Sequence, residues 1–126
     1  MKKNIHLIIK KKVLFQNNET IEADFKVPAI INDNGLKFIE PDKTKTTITF
    51  DNSKIIVERK NDNYSKIEFD EKHDTIYIMK TNSSYSLQLN VTTLQLYFNN
   101  DNLKIVYQTE VDKDNKELHE FYINFL

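Results

Sequence analysis

One arginine stands among seventeen lysines, in the stretch KIIVERK at residues 54 to 60. Side chains of an extended segment alternate between two faces, so Arg59 falls in step with Ile55 and Val57 on the apolar side. A guanidinium placed there needs acceptors for its five N–H donors. Glu40 offers them, because in LKFIE (36–40) it shares a face with Leu36 and Phe38. The parity predicts that Arg59 and Glu40 point into the fold and meet near one end. There they would either anchor a polar ligand group or plug the interior. The competing reading has both side chains at strand ends, reaching solvent on their aliphatic stems.

Other residues could do chemistry, but their spacing does not organise it. Tyr77, Tyr107 and Tyr122 recur on apolar segments and could line a cavity with hydroxyls; as plain filler they would leave only the phenol at the rim. The run DEKHD (70–74) gathers Asp70, Glu71, His73 and Asp74. A calcium loop needs a longer alternation of ligands and a turn glycine, and a zinc site draws on more than one His or Cys. A charged connection between strands fits better, and no metal or other cofactor is expected. His6 lies opposite the apolar residues around it, whereas His119 shares a parity with Phe121, Ile123 and Phe125 and is expected to be partly buried. No nucleophile elbow or glycine-rich phosphate loop occurs. We therefore expect no enzyme.

The whole chain has 126 residues with a formal net charge of -1 and no cysteine. That size suits one domain, 1–126, with one core. Lysines interleaved with acids make a solvated surface of mixed sign and argue against a nucleic-acid partner. Absence of cysteine excludes disulfides, thiol catalysis and thiolate metal sites. The apolar stretch in MKKNIHLIIKKK is cut short by Lys10, Lys11 and Lys12, so it reads neither as a signal peptide nor as a membrane span. The expectation is a soluble, cytoplasmic protein, monomeric or weakly dimeric, with no membrane partner.

The elements that must position Arg59 and Glu40 are short strands. IHLIIKKKVLF (5–15) puts Ile5, Leu7, Ile9, Val13 and Phe15 on one face, with His6, Lys10 and Lys12 opposite. TIEADFKV (20–27) alternates in the same way, and LKFIE, TTITF, IIVER, SKIEF, TIYIMK, YSLQLNV, LQLYF, LKIVYQTEV and LHEFYINFL follow. Strict alternation marks strands with one wet face. Between them lie clusters of Asn, Asp and Ser. With Gly35 the one glycine, Asn and Asp must supply most of the positive φ that tight turns need. Pro28 predicts an end or bulge in the second strand. From Tyr85 to Val91 the apolar residues are odd-numbered, but Leu94, Leu96 and Phe98 are even-numbered, which predicts a bulge near Thr92 and Thr93. The whole reads as all-β: about ten short antiparallel strands in a meander, with little or no helix. Such a sheet either stacks as a sandwich or closes into a barrel, and the pattern alone leaves both open.

A resemblance selects the barrel. The order FIE (38–40), TTITF, IIVERK, TIYIMKT and LQLNVTT resembles the YwiB-like family of small bacterial calycin-like, or lipocalin-like, β-barrel proteins. In that family a Tyr-x-Glu strand precedes a Thr-rich strand and then a strand ending in arginine. Phe38 stands where the family has Tyr, and the family's glycines after the arginine and near Ser84 are missing. The resemblance covers nearly the whole chain and implies a single closed barrel; Glu40 matches the family's glutamate. It implies no activity, since that of the family is unknown.

A barrel of eight or more strands can hold one small ligand. The function expected is a binding module for a small apolar or amphiphilic ligand, with Arg59, Glu40, Tyr77 and Tyr107 as binding residues. The alternative is a structural or protein-interaction domain with a filled barrel and no ligand. An interior volume below about 300 Å³ would favour the alternative.

Overall fold

The structure, a computed structural model, describes residues 2–126. The alternating segments become ten strands: β1 (Lys3–Leu14), β2 (Thr20–Asn32), β3 (Gly35–Ile39), β4 (Lys45–Asp51), β5 (Lys54–Lys60), β6 (Tyr64–Phe69), β7 (Thr75–Lys80), β8 (Ser86–Phe98), β9 (Asn102–Asp112) and β10 (Asn115–Phe125). Each pairs antiparallel with its neighbour in sequence. β1 then pairs with β10, from Leu7↔Phe125 to Leu14↔Leu118, and the sheet closes into a barrel. Closure gives every strand two neighbours, although the longer β2 and β8 outrun β3 and β7 on one flank. No helix occurs among the described residues.

The pleat sends alternate residues inward, and the core is made of them. Leu7, Ile9, Ile48, Leu103, Ile105 and Ile123 are all fully buried, from four different strands. Burying each stabilises the fold by about 1.5–3 kcal/mol before conformational entropy is counted. Phe50, Phe98 and Phe125 stack where β4, β8 and β10 end, with ring centroids 4.3 Å and 6.2 Å apart, and they stop that end of the barrel.

The turns use the expected chemistry, with two exceptions. Asn32 Oδ1 accepts the amides of Asn34 and Gly35, and the same side-chain-to-backbone bond recurs at Asn17, Asp42, Asn61, Asp70, Asn99 and Asp112. Asn18 and Asn52 adopt positive φ, as predicted, but so do Lys43 and Ser84. Ser84 thus holds a left-handed backbone at the strain cost of a Cβ. Gly35 cannot be replaced in the same way: a Cβ on it would lie 1.9 Å from the carbonyl oxygen of Ile48 on β4.

One local expectation is corrected and one holds. β2 neither ends nor bulges at Pro28, which keeps register opposite His6. β3 pairs only with Ala29–Asn32, so at Pro28 one flank of β2 has no partner and a missing N–H there breaks no ladder. The bulge in β8 is real but falls between Thr93 and Gln95. Thr93 is still inward and buried, Leu94 is the extra residue and is 53% exposed, and inward pointing resumes at Leu96.

Candidate functional site

The end of the barrel opposite the phenylalanine stack is not filled. A cavity of about 400 Å³ lies there. Core residues Phe38, Val57, Ile67 and Phe69 form its floor, and Tyr77, Leu87, Leu89, Tyr107 and Phe121 line its walls. Outward-facing Lys12 and Glu120 also border it, so the cavity reaches the rim.

Glu40 and Arg59 meet inside it. Arg59 Nε donates to Glu40 Oε2 at 2.8 Å, and Glu40 is only 5% exposed. Two partners complete the cluster: Thr46 Oγ1 donates to Oε2 and Lys11 Nζ to Oε1, each at 2.6 Å. The carboxylate thus spends both oxygens on three donors. Burial opposes its ionisation, but the hydrogen bonds from Arg59, Lys11 and Thr46 outweigh burial and hold the carboxyl below its ordinary range. The backbone fixes Glu40 as well. Its N–H donates to the Thr44 carbonyl at 2.9 Å, its carbonyl accepts from Lys43 at 2.8 Å, and Asn61 Nδ2 ties Thr44 Oγ1 to the β5–β6 turn at 3.1 Å.

Lys11 was not among the residues singled out from the sequence. Its odd number puts it inward between Ile9 and Val13, yet it sits in a run of three lysines that reads as solvated surface. Its Nζ lies 5.6 Å from the ring centroid of Phe25 and 5.8 Å from that of Phe121, so ring faces and Glu40 box the ammonium. Burial lowers its pKa, and the nearby Arg59 charge adds to this, while Glu40 pulls the other way.

Of the tyrosines, Tyr77 and Tyr107 line the cavity, but Tyr122 does not. Tyr122 is even-numbered on β10, where Phe121 and Ile123 point inward, and it pairs with Lys10 and Lys104 on the outer surface. Burial raises the Tyr107 phenol well above its usual range, so Tyr107 offers a proton and never a base. Its ring stacks on His119 at 4.5 Å with an interplanar angle of 2°. His119 Nε2 lies 2.9 Å from Thr109 Oγ1, and burial lowers its pKa to about 4, so the imidazole is neutral near pH 7. Asp70 and Asp74 are occupied with turn and strand contacts, to the Lys72 amide and the Thr92 hydroxyl. No group of three potential metal ligands gathers among the described residues.

Comparison with known proteins adds the fold. No protein-family model matches the chain, and no curated protein does. Among solved structures, the crystal structure of the YwiB protein from Bacillus subtilis superposes with a TM-score of 0.67 at 15% identity, covering 98% of this chain and 92% of that one. A ten-stranded closed barrel with a fold like that of YwiB is therefore what this chain adopts.

Proposed function

We propose that the chain is a small-ligand binding module that takes an apolar or amphiphilic molecule into the open half of its barrel. The observation that carries this reading is the cavity of about 400 Å³, with an apolar floor and one fixed charge cluster on its wall. That combination suits a ligand site, where apolar area supplies affinity and a few placed polar groups set orientation. The volume lies within the roughly 300–1,000 Å³ common to such sites. The reading includes a calycin-like barrel working in the cytoplasm without catalysis. In support of the last point, Glu40 has both oxygens committed to donors, and burial lowers the His119 pKa to about 4, which makes its imidazole a weak base.

Native mass spectrometry on protein purified from the cells that make it tests the reading. A retained small molecule is expected as added mass lost on denaturation. A protein without an adduct, whose melting temperature no compound in a broad set of small apolar and amphiphilic molecules raises, would overturn it.

A further inference from the structure

We propose that the molecule held in this cavity is an organic monoanion, its charged group on the Nη end of Arg59 and its flat apolar body against the rings below. This rests on the binding reading above and adds the ligand's charge and shape. The first argument is a charge count. Glu40 carries one negative charge and is shared by two cations, Lys11 at 2.6 Å and Arg59 at 2.8 Å. One positive charge therefore remains uncompensated within the cluster.

The second argument is where that charge is available. Arg59 uses only Nε on Glu40; among the described residues neither Nη has an acceptor. Its side chain is 39% exposed and lines the cavity, so the planar Nη pair is presented to whatever enters. Two parallel N–H donors in that plane match a carboxylate or sulfonate. Lys11 adds to the field but not to the seat, since Glu40 and the faces of Phe25 and Phe121 already enclose its ammonium.

The third argument is orientation. Glu117 also lines the cavity, its carboxylate 3.5 Å from His119 Nε2. Burial keeps that imidazole neutral, so Glu117 stays an unneutralised acid facing the same space. β5 and β10 lie five places apart in a closed ring of ten strands, which is as far apart as the ring allows. An anion is thus drawn to the Arg59 wall and repelled from the Glu117 wall; at the rim Lys12, opposite Glu120, pairs with Glu22 at 3.9 Å. Asp42, on the exposed turn beyond Glu40, also attracts Lys11 and Arg59, but it makes no ion pair with either and solvent weakens its pull on them. A second negative charge on the ligand would exceed the single surplus cation and face Glu117. Between the two walls lie the rings of Phe38, Phe69, Tyr77, Tyr107 and Phe121, which suit a flat body.

Two dyes with the same three rings test this: anilinonaphthalene sulfonate, and phenylnaphthylamine, which lacks the sulfonate. Fluorescence titration of the native protein should give the sulfonate an affinity about tenfold higher or more, as one charge-assisted contact provides. Arg59→Gln should collapse the ratio of the two affinities toward one. Glu40→Gln keeps Arg59 and removes the competing negative charge, so it should raise the ratio. Circular dichroism melts check that each variant is folded; if one is not, the other still decides. Equal affinity of the native protein for both dyes, an unchanged ratio in a folded Arg59→Gln, or a lowered ratio in Glu40→Gln would overturn the anion inference and leave the binding reading standing. Failure of both dyes to bind would count against the binding reading itself.

Discussion

The same strands build both halves of the barrel, yet one half is solid and the other is hollow. On β1 the inward residues run Leu7, Ile9, then Lys11. On β4 they run Ile48, then Thr46; on β5 Val57, then Arg59; on β9 Ile105, then Tyr107; on β10 Ile123 and Phe121, then His119. In the solid half the inward side chains are aliphatic or phenylalanine, and Leu7, Ile9, Ile48, Ile105 and Ile123 have zero exposure. In the hollow half each strand contributes a longer or more polar residue, and these pair along the wall instead of meeting across the middle. The pleat decides which residues face in, but the chemistry of successive inward residues decides whether the interior is filled. A charge cluster is tolerable in the hollow half because Glu40 finds three donors there and Arg59 keeps contact with water.

The largest effect should come from removing what closes both halves. Deleting residues 115–126 takes away β10, exposes the facing edges of β1 and β9, and strips Phe121, Ile123 and Phe125 from the interior. The truncated chain should show no cooperative thermal transition by circular dichroism. A normal melt would mean that closure by β10 is dispensable.

Matched truncations within the two halves come next. Leu7→Ala in the solid half should cost about 3–4 kcal/mol, because neighbours at native density cannot collapse into the space. Leu89→Ala borders an existing cavity, so it should cost only about 1 kcal/mol and mainly enlarge that cavity. Urea denaturation measures both, and equal losses would break the distinction between the halves.

Much of this contrast was legible in residue parity. Alternation gave the strand count once YSLQLNV and LQLYF are joined by the β8 bulge, and it put Arg59 and Glu40 on inward faces. Closure was not legible, because sandwich and barrel strands share one alternation; the β1–β10 register is a non-local fact. Lys11 escaped because a lysine flanked by lysines reads as surface, although its number placed it inward. Leu94 was misplaced because parity locates a phase change only to within a residue or two, and the bulge absorbed Leu94 itself. Lys43 and Ser84 were not foreseen at positive φ, since neither residue type announces that conformation.

Glu40→Leu tests the charge cluster in the hollow half. It leaves Lys11 and Arg59 facing one another without their shared acceptor, and their partial exposure moderates the repulsion. A loss of about 2 kcal/mol near pH 7 is expected, below the range for fully buried pairs. The folded-state pKa of Glu40 is depressed, so its contribution is present above the ordinary carboxylate pKa and fades as pH falls through the folded value. The stabilities of wild type and variant should therefore converge under acid. A gap that persists at low pH would mean that the carboxylate charge is not what matters.

The last effect belongs to His119: stability again falls with acid, but here because burial disfavours the charged form instead of partners favouring it. Its pKa falls from 6.5 to about 4 on folding, so between those values the unfolded chain binds a proton that the folded one refuses. Stability should decline as pH drops from about 6.5 toward 4 and then level off, by about 1–2 kcal/mol between pH 7 and 5. Glu117, with its oxygen 3.5 Å from Nε2, favours the charged ring, but it is partly solvated, and burial of the imidazole against Tyr107 prevails. His119→Gln retains a side chain able to reach Thr109 and cannot titrate, so the slope between pH 6.5 and 4 should flatten in the variant. An unchanged slope would move the titration to another group and show that the hollow half admits enough water around His119 to solvate its charge.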